Sequence, residues 1–202
     1  LWVNVHGHNH PYINAAIKEQ LNQLDHSTLL GLSNTPSIEL AKKLVAIAPK
    51  GLEKVFYSDN GSTAVEVAIK MAYQYWQNIG RLEKTQIVHL ANSYHGDTLG
   101  SVSVGGIELF RKVYHNLIFP TVQIDFPDGY RKQNYDEAMN KLEEFFVRSA
   151  GETAALIIEP LVQGAAGMLV WPEGILKKIK EFCEKYEVFL IADEVATGFG
   201  RT

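Results

Sequence analysis

Val188-Phe189-Leu190-Ile191-Ala192 runs directly into Asp193-Glu194, and Ala154-Ala155-Leu156-Ile157-Ile158 runs directly into Glu159-Pro160. Both runs are apolar at every position and short, so they read as strands with no polar side to turn toward water. Such strands belong to a sheet covered on both faces, and sheets of that kind are mostly parallel. Each run also ends on a carboxylate. In open parallel sheets ligands gather beyond the carboxyl ends of the strands, so these two ends locate the chemistry as well as the fold.

Outward from them, strands alternate with helices. Gln86 to Ala91 is β-branched and apolar, and Lys54-Val55-Phe56-Tyr57, Ser101 to Val104 and Thr121 to Ile124 read as further short strands. Helical spacing runs from Thr63 to about Trp76, from Asn134 to about Ser149 (Tyr135, Ala138, Leu142, Phe145 and Phe146 on one side), and from Glu173 to about Tyr186. Upstream, Pro11 and Pro36 each open a helix, the second ending at Pro49. The expected fold class is α/β with a mostly parallel sheet. Residues 1–50 form an N-terminal arm or small-domain segment, and residues 51–202 part of a larger ligand-binding domain.

Composition narrows the function classes. The chain has 202 residues, 46% hydrophobic and 21% charged, with a formal net charge of −4. Ordinary globular usage argues for a packed core, and mild acidity argues against a nucleic-acid binder. One cysteine, Cys183, allows no internal disulfide and fits a reducing cytoplasm, where a lone helical Cys is expected to be a small buried apolar residue. No apolar run is long enough to span a membrane, and Leu1-Trp2-Val3-Asn4 lacks the features of a signal peptide. The start without Met and the stop at Gly198-Phe199-Gly200-Arg201-Thr202 suggest a portion of a longer protein.

Four loops carry candidate chemistry. In Asp59-Asn60-Gly61-Ser62-Thr63-Ala64, Gly61 permits close backbone approach and the following helix offers free N–H groups, an anion site if it is not simply an N-cap. Ser62 and Thr63 can add hydroxyl donors. In Asn92-Ser93-Tyr94-His95-Gly96-Asp97-Thr98, the Tyr94 ring can lie flat against a planar ligand, and His95 with Asp97 can form an acid/base pair. Glu159, ending an apolar strand, must meet a cation or face the ligand cleft. Asp193 can hold a proton on a heterocyclic nitrogen, bind a metal, or merely cap the next turn.

Taken together these loops resemble the class III, fold-type-I aminotransferases, which depend on pyridoxal 5'-phosphate (PLP). The elements that carry the resemblance are Gly61-Ser62-x-Ala64-x-Glu66, Tyr94-His95-Gly96, Ile158-Glu159-Pro160-x-x-Gln163-Gly164 and Asp193-Glu194-Val195-x-Thr197-Gly198-Phe199-Gly200-Arg201-Thr202. The resemblance implies that Gly61 and Ser62 hold the cofactor phosphate and that Tyr94 stacks on one face of the pyridine ring. Val195 would press on the other face, and Asp193 would pair with the protonated ring nitrogen. It also implies a homodimer, because the family's active sites form between two subunits, and a cytoplasmic enzyme with no nucleic-acid or membrane partner.

Finer marks resemble the biotin-synthetic branch of the family. They are Trp2 with His6-Gly7-x-Asn9-His10-Pro11, Val65-Glu66-Val67-Ala68-x-Lys70-Met71-Ala72, Gln74-Tyr75-Trp76, and His95-Gly96-Asp97-Thr98-x-Gly100. Asp97 stands where many relatives carry a basic residue. That branch implies an amino group passed from S-adenosylmethionine or lysine to 7-keto-8-aminopelargonate, with Trp2, Tyr94 and Asp97 contacting substrate. Ala196 stands where class III members commonly carry a Gln that reaches the cofactor's phenolic oxygen, so the resemblance does not carry that contact over, in agreement with the biotin-synthetic branch.

The family's Schiff-base lysine lies on a later strand, beyond the last residues of this chain. None of the fourteen lysines present ends an apolar strand. Two other readings remain. One is a class III ω-amino acid or diamine transaminase. The other is a metal-dependent hydrolase using His6, His8 and His10, which at alternate positions would share one face of a strand.

Overall fold

The computed structural model describes residues 3–125 and 135–202. Trp2, Lys132 and Asn134 therefore lie outside the described residues. Two compact units are present, Val3–Tyr57 and Ser58–Thr202.

The first unit holds α1 (Pro11–Gln23) and α2 (Thr35–Ile47), each with a proline in its first turn. The Asn34 side chain caps α2 by accepting the Ser37 N–H at 3.0 Å. No residue of either helix is buried. Lys54–Tyr57, expected as a strand, is irregular chain. Among the described residues no strand pairs with it, and the Tyr57 hydroxyl instead donates to the Ser37 carbonyl at 2.5 Å. His6, His8 and His10 likewise lie in turn and coil, not on a strand.

The second unit runs α3 (Gly61–Asn78), β1 (Gln86–Leu90), α4 (Leu99–Ser103), α5 (Glu108–Arg111), β2 (Val122–Ile124), α6 (Tyr135–Ser149), β3 (Thr153–Ile158), β4 (Val162–Gln163), β5 (Leu169–Val170), α7 (Ile175–Lys185) and β6 (Phe189–Ala192). Strands β2-β1-β3-β6 form one sheet in that order, every pairing parallel, and β4-β5 is a small antiparallel hairpin. The central strand β3 is buried along its whole length, as its unbroken apolar run requires.

Strand alternation sends side chains to two separate cores. Val88, Leu90, Leu156 and Ile158 meet Met139, Leu142 and Phe146 of α6 and Ile175, Ile179 and Cys183 of α7. Ile87, Ala155 and Ile157 meet Val65, Ile69, Ala72 and Trp76 of α3 on the other face. Cys183 is a packing residue as expected, its thiol pushed up to about 12 by burial.

Ser101–Val104 is not a strand. These residues belong largely to the short helix α4, pinned to α3 by two bonds. The Gly100 N–H donates to Glu66 Oε1 at 2.7 Å, and the Ser101 hydroxyl donates to the Ser62 carbonyl at 3.0 Å. A Cβ on Gly100 would stand 2.1 Å from Glu66 Oε2, so the Gly-Glu pair is a fitted contact. Gly100→Ala should push the Glu66 carboxylate off the Gly100 N–H and destabilise the fold by about 1–2 kcal/mol through the lost bond. A lowered urea midpoint at unchanged m-value would register that loss.

Candidate active site

The sheet ends build a cavity of about 580 Å³. Its wall combines Asn60, Gly61 and Ser62 with Tyr94 to Thr98 of the loop after β1. Glu159, Gly164 and Ala165 come from the segment after β3, and Asp193, Val195 and Ala196 from beyond β6. Three of the four expected loops thus stand at strand carboxyl ends. The fourth is the N-terminus of α3 and follows no strand.

At that N-terminus both readings of the first loop hold, on different atoms. Asn60 and Thr63 form a reciprocal capping box, with Thr63 N–H donating to Asn60 Oδ1 at 3.0 Å and Asn60 N–H donating to Thr63 Oγ1 at 3.2 Å. The Thr63 hydroxyl also donates to Asp59 at 2.6 Å, so it serves the cap and not the cavity. The box leaves the Gly61 and Ser62 N–H groups out of the cap, at the positive end of an 18-residue helix. Gly61 is required by close approach: a Cβ there would lie 2.7 Å from Val195 Cγ2. Ser62 Oγ accepts the Asp97 N–H at 3.2 Å, and Gly96, at φ +121°, leaves no room for a Cβ beside it.

His95 and Asp97 do not form the acid/base pair considered from sequence. His95 Nδ1 lies 2.8 Å from Asp193 Oδ2, with the His95 side chain fully buried and that of Asp193 7% exposed. Asp193 Oδ1 accepts the Val195 N–H at 3.2 Å. The carboxylate is thus held from two directions. His95 Nε2 is buried without a hydrogen-bond partner. Sequence reasoning could not pair residues 95 and 193, because their meeting depends on strand order.

Asp97 instead accepts the Tyr94 hydroxyl at 2.8 Å. Tyr94 packs edge-on to Phe110, ring centroids 5.7 Å apart, so its ring is fixed at both ends. Burial first, and then the bond to and charge of Asp97, push the Tyr94 phenol up to about 12. Glu159 faces the cleft, and its partners are backbone N–H groups in place of a cation. Among the described residues no group of three His, Cys, Asp or Glu side chains is placed to hold a metal ion. The His6 and His10 rings stand 5.8 Å apart.

Residues 1–202 match the family described as Aminotransferase class-III. The chain belongs to the class-III aminotransferases. It is 54% identical to the adenosylmethionine-8-amino-7-oxononanoate aminotransferase of Staphylococcus aureus, covering all of this chain and 47% of that relative. The enzyme of the same name from Methanocaldococcus jannaschii has a crystal structure that superposes with a TM-score of 0.93 at 44% identity, over all of this chain and 45% of that one. An omega transaminase from Pseudomonas jessenii, solved in complex with PMP, superposes with a TM-score of 0.91 at 32% identity, over all of this chain and 47% of that one. The chain spans about half the length of the curated relatives it matches. These two solved structures share the α/β architecture with its parallel sheet.

Proposed function

We propose that this class-III chain supplies the cofactor-holding part of an aminotransferase that converts 7-keto-8-aminopelargonate to 7,8-diaminopelargonate, with S-adenosylmethionine or lysine as amino donor. The observation that carries the reading is the acidic Asp97 beside Tyr94 in the cavity wall, within a chain whose 54%-identical relative is named for that acceptor and donor. On this reading residues 1–50 are an arm or small-domain segment and residues 51–202 part of the PLP-binding domain. The intact protein is a cytoplasmic homodimer.

The donor set fits PLP. Gly61 and Ser62 offer N–H groups and a hydroxyl to a phosphate, Tyr94 a fixed ring to a planar face, and Asp193 a largely buried carboxylate to a heterocyclic N–H. Val195, half-exposed beside Gly61, presents an apolar surface to the opposite face. When bound, the cofactor supplies an electron-withdrawing ring that accepts the electron pair left as the substrate loses its α-proton. Asp193 keeps a proton on the ring nitrogen, and His95 and the Val195 N–H keep Asp193 in place. Tyr94 and Val195 hold the ring plane. Asp97 selects the acceptor as counter-charge for its amine, and the resemblance assigns Trp2, outside the described residues, a part in the same selection. An acidic group there also disfavours substrates whose carboxylate needs neutralising.

The P. jessenii likeness has nearly the same TM-score as the M. jannaschii one, so fold alone does not separate this reading from an ω-amino acid transaminase. Asp97→Asn in the intact protein does. Asparagine still accepts the Tyr94 hydroxyl, so the substitution removes charge more than structure. The specificity constant for the keto-amine acceptor should fall roughly ten- to a hundredfold, about 1–3 kcal/mol, with the absorbance of bound PLP unchanged. No acceptor-specific loss, or equal wild-type rates on simple ω-amino acids, would favour the generic transaminase.

A further inference from the structure

The cavity wall contains a buried carboxylate to which the proposed mechanism gives no task. Glu159 directly follows β3 and is 5% exposed. Its Oε1 accepts the Tyr94 N–H and its Oε2 the Gly164 N–H, each at 2.9 Å. Burial raises its carboxyl above the ordinary glutamate range, opposed by those two bonds and by the nearby His95. A carboxylate kept in such a place needs a compensating role, because an unpaired or poorly paired buried charge is strongly unfavourable.

That role follows from where the sheet stops. β1 ends at Leu90 and β3 at Ile158, and their ladder pairs no residue beyond His89 and Ile157. Tyr94 lies in the loop after β1 and Gly164 directly after β4, at the turn of the β4-β5 hairpin, and among the described residues neither N–H has a backbone acceptor. Glu159 receives both and closes the gap that the missing ladder would have closed. Gln163 repeats the link at a different point, donating from Nε2 to the Ala91 carbonyl at 3.2 Å.

The geometry points to Glu159 as a positioning residue that seats the Tyr94 ring against a planar cofactor by clamping the backbone of the loops after β1 and β3. It deepens, and rests on, the reading of the cavity as a PLP site. Its two hydrogen bonds act on the position of Tyr94 and not on the cofactor itself.

Glu159→Gln preserves size and one acceptor but sets an amide NH2 against one of the two N–H donors. In the intact protein without added PLP, hydrogen exchange at the Tyr94 or Gly164 amide should accelerate at least tenfold. Affinity for added PLP, followed by absorbance titration, should weaken roughly tenfold, and the circular dichroism of the bound cofactor should change. Leu142→Ala, a core substitution on α6 outside the cavity wall, serves as a control. It should lower stability and leave both the affinity and the dichroism unchanged. If Glu159→Gln does not fold, Glu159→Asp, one methylene shorter, should lose protection at one of the two amides.

Unprotected Tyr94 and Gly164 amides in the wild type would overturn the clamp. So would a Glu159→Gln variant with wild-type exchange and dichroism, or a control that shifts the dichroism equally. A wild type that binds no PLP would remove the PLP reading, while amide exchange would still judge the clamp.

Discussion

Asp193→Asn in the intact protein is expected to lower transamination by several orders of magnitude while PLP remains bound. The carboxylate follows directly on β6, is 7% exposed, and is held by His95 Nδ1 at 2.8 Å and the Val195 N–H at 3.2 Å on different oxygens. An anion so placed favours a protonated ring nitrogen, and a neutral amide does not. Asparagine also has one acceptor where aspartate has two, so either His95 or the Val195 N–H loses its partner. That local loss should cost about 1–3 kcal/mol and leave the two cores intact. The phosphate contacts at Gly61 and Ser62 lie on another element, so an absorbance titration should still show cofactor capture. Steady-state turnover at saturating donor and acceptor is the deciding measurement. Near-wild-type rates would remove Asp193 from the chemistry.

Much of this arrangement was legible in the sequence, and the reason is physical. Val188–Ala192 and Ala154–Ile158 have no polar side, which forces a two-faced sheet and puts Glu159 and Asp193 at its ligand-bearing ends. Gly61 and the polar loop around it gave the α3 N-terminus. The failures share a different origin. Ser101–Val104 carries valines at strand-like spacing, yet Glu66 and Ser62 draw the segment against α3 as a helix through Gly100 and Ser101. Lys54–Tyr57 has strand-like composition but finds no partner strand among the described residues. Asp97 is the aspartate nearest to His95 along the chain, and the fold preferred a partner 98 residues away. Local composition carries propensity, whereas pairing across the sheet is decided by topology.

Lys84 is the clearest case of a residue hidden from sequence reading, and its substitution should carry the largest stability loss. It stands two residues before β1, at an element edge, where a solvated ammonium is the ordinary expectation. Instead it is fully buried. Its Nζ donates to the carbonyls of Ala150 at 2.9 Å, Thr153 at 3.0 Å and Glu187 at 2.5 Å, and lies 4.3 Å from the centre of the Trp76 ring. Burial depresses its pKa. Ala150, Thr153 and Glu187 precede or begin β3 and β6, so this ammonium ties the amino-terminal edge of the sheet. The cavity lies at the opposite edge, roughly 17 Å away along the six residues of β3. Lys84 is therefore a buried lysine in the wrong place for the family's covalent cofactor linkage. Lys84→Met should leave the Thr153 carbonyl, and in part the other two, without a donor. Relief from burying a charge offsets some of that, leaving a net loss of about 2–4 kcal/mol. Urea unfolding of the intact protein should show the lowered midpoint, and PLP affinity of the folded variant should match the wild type. Borohydride reduction of the wild type with PLP should leave Lys84 unmodified. A pyridoxyl adduct on Lys84, or a Lys84→Met variant of unchanged stability, would overturn its assignment as the tie of this sheet edge.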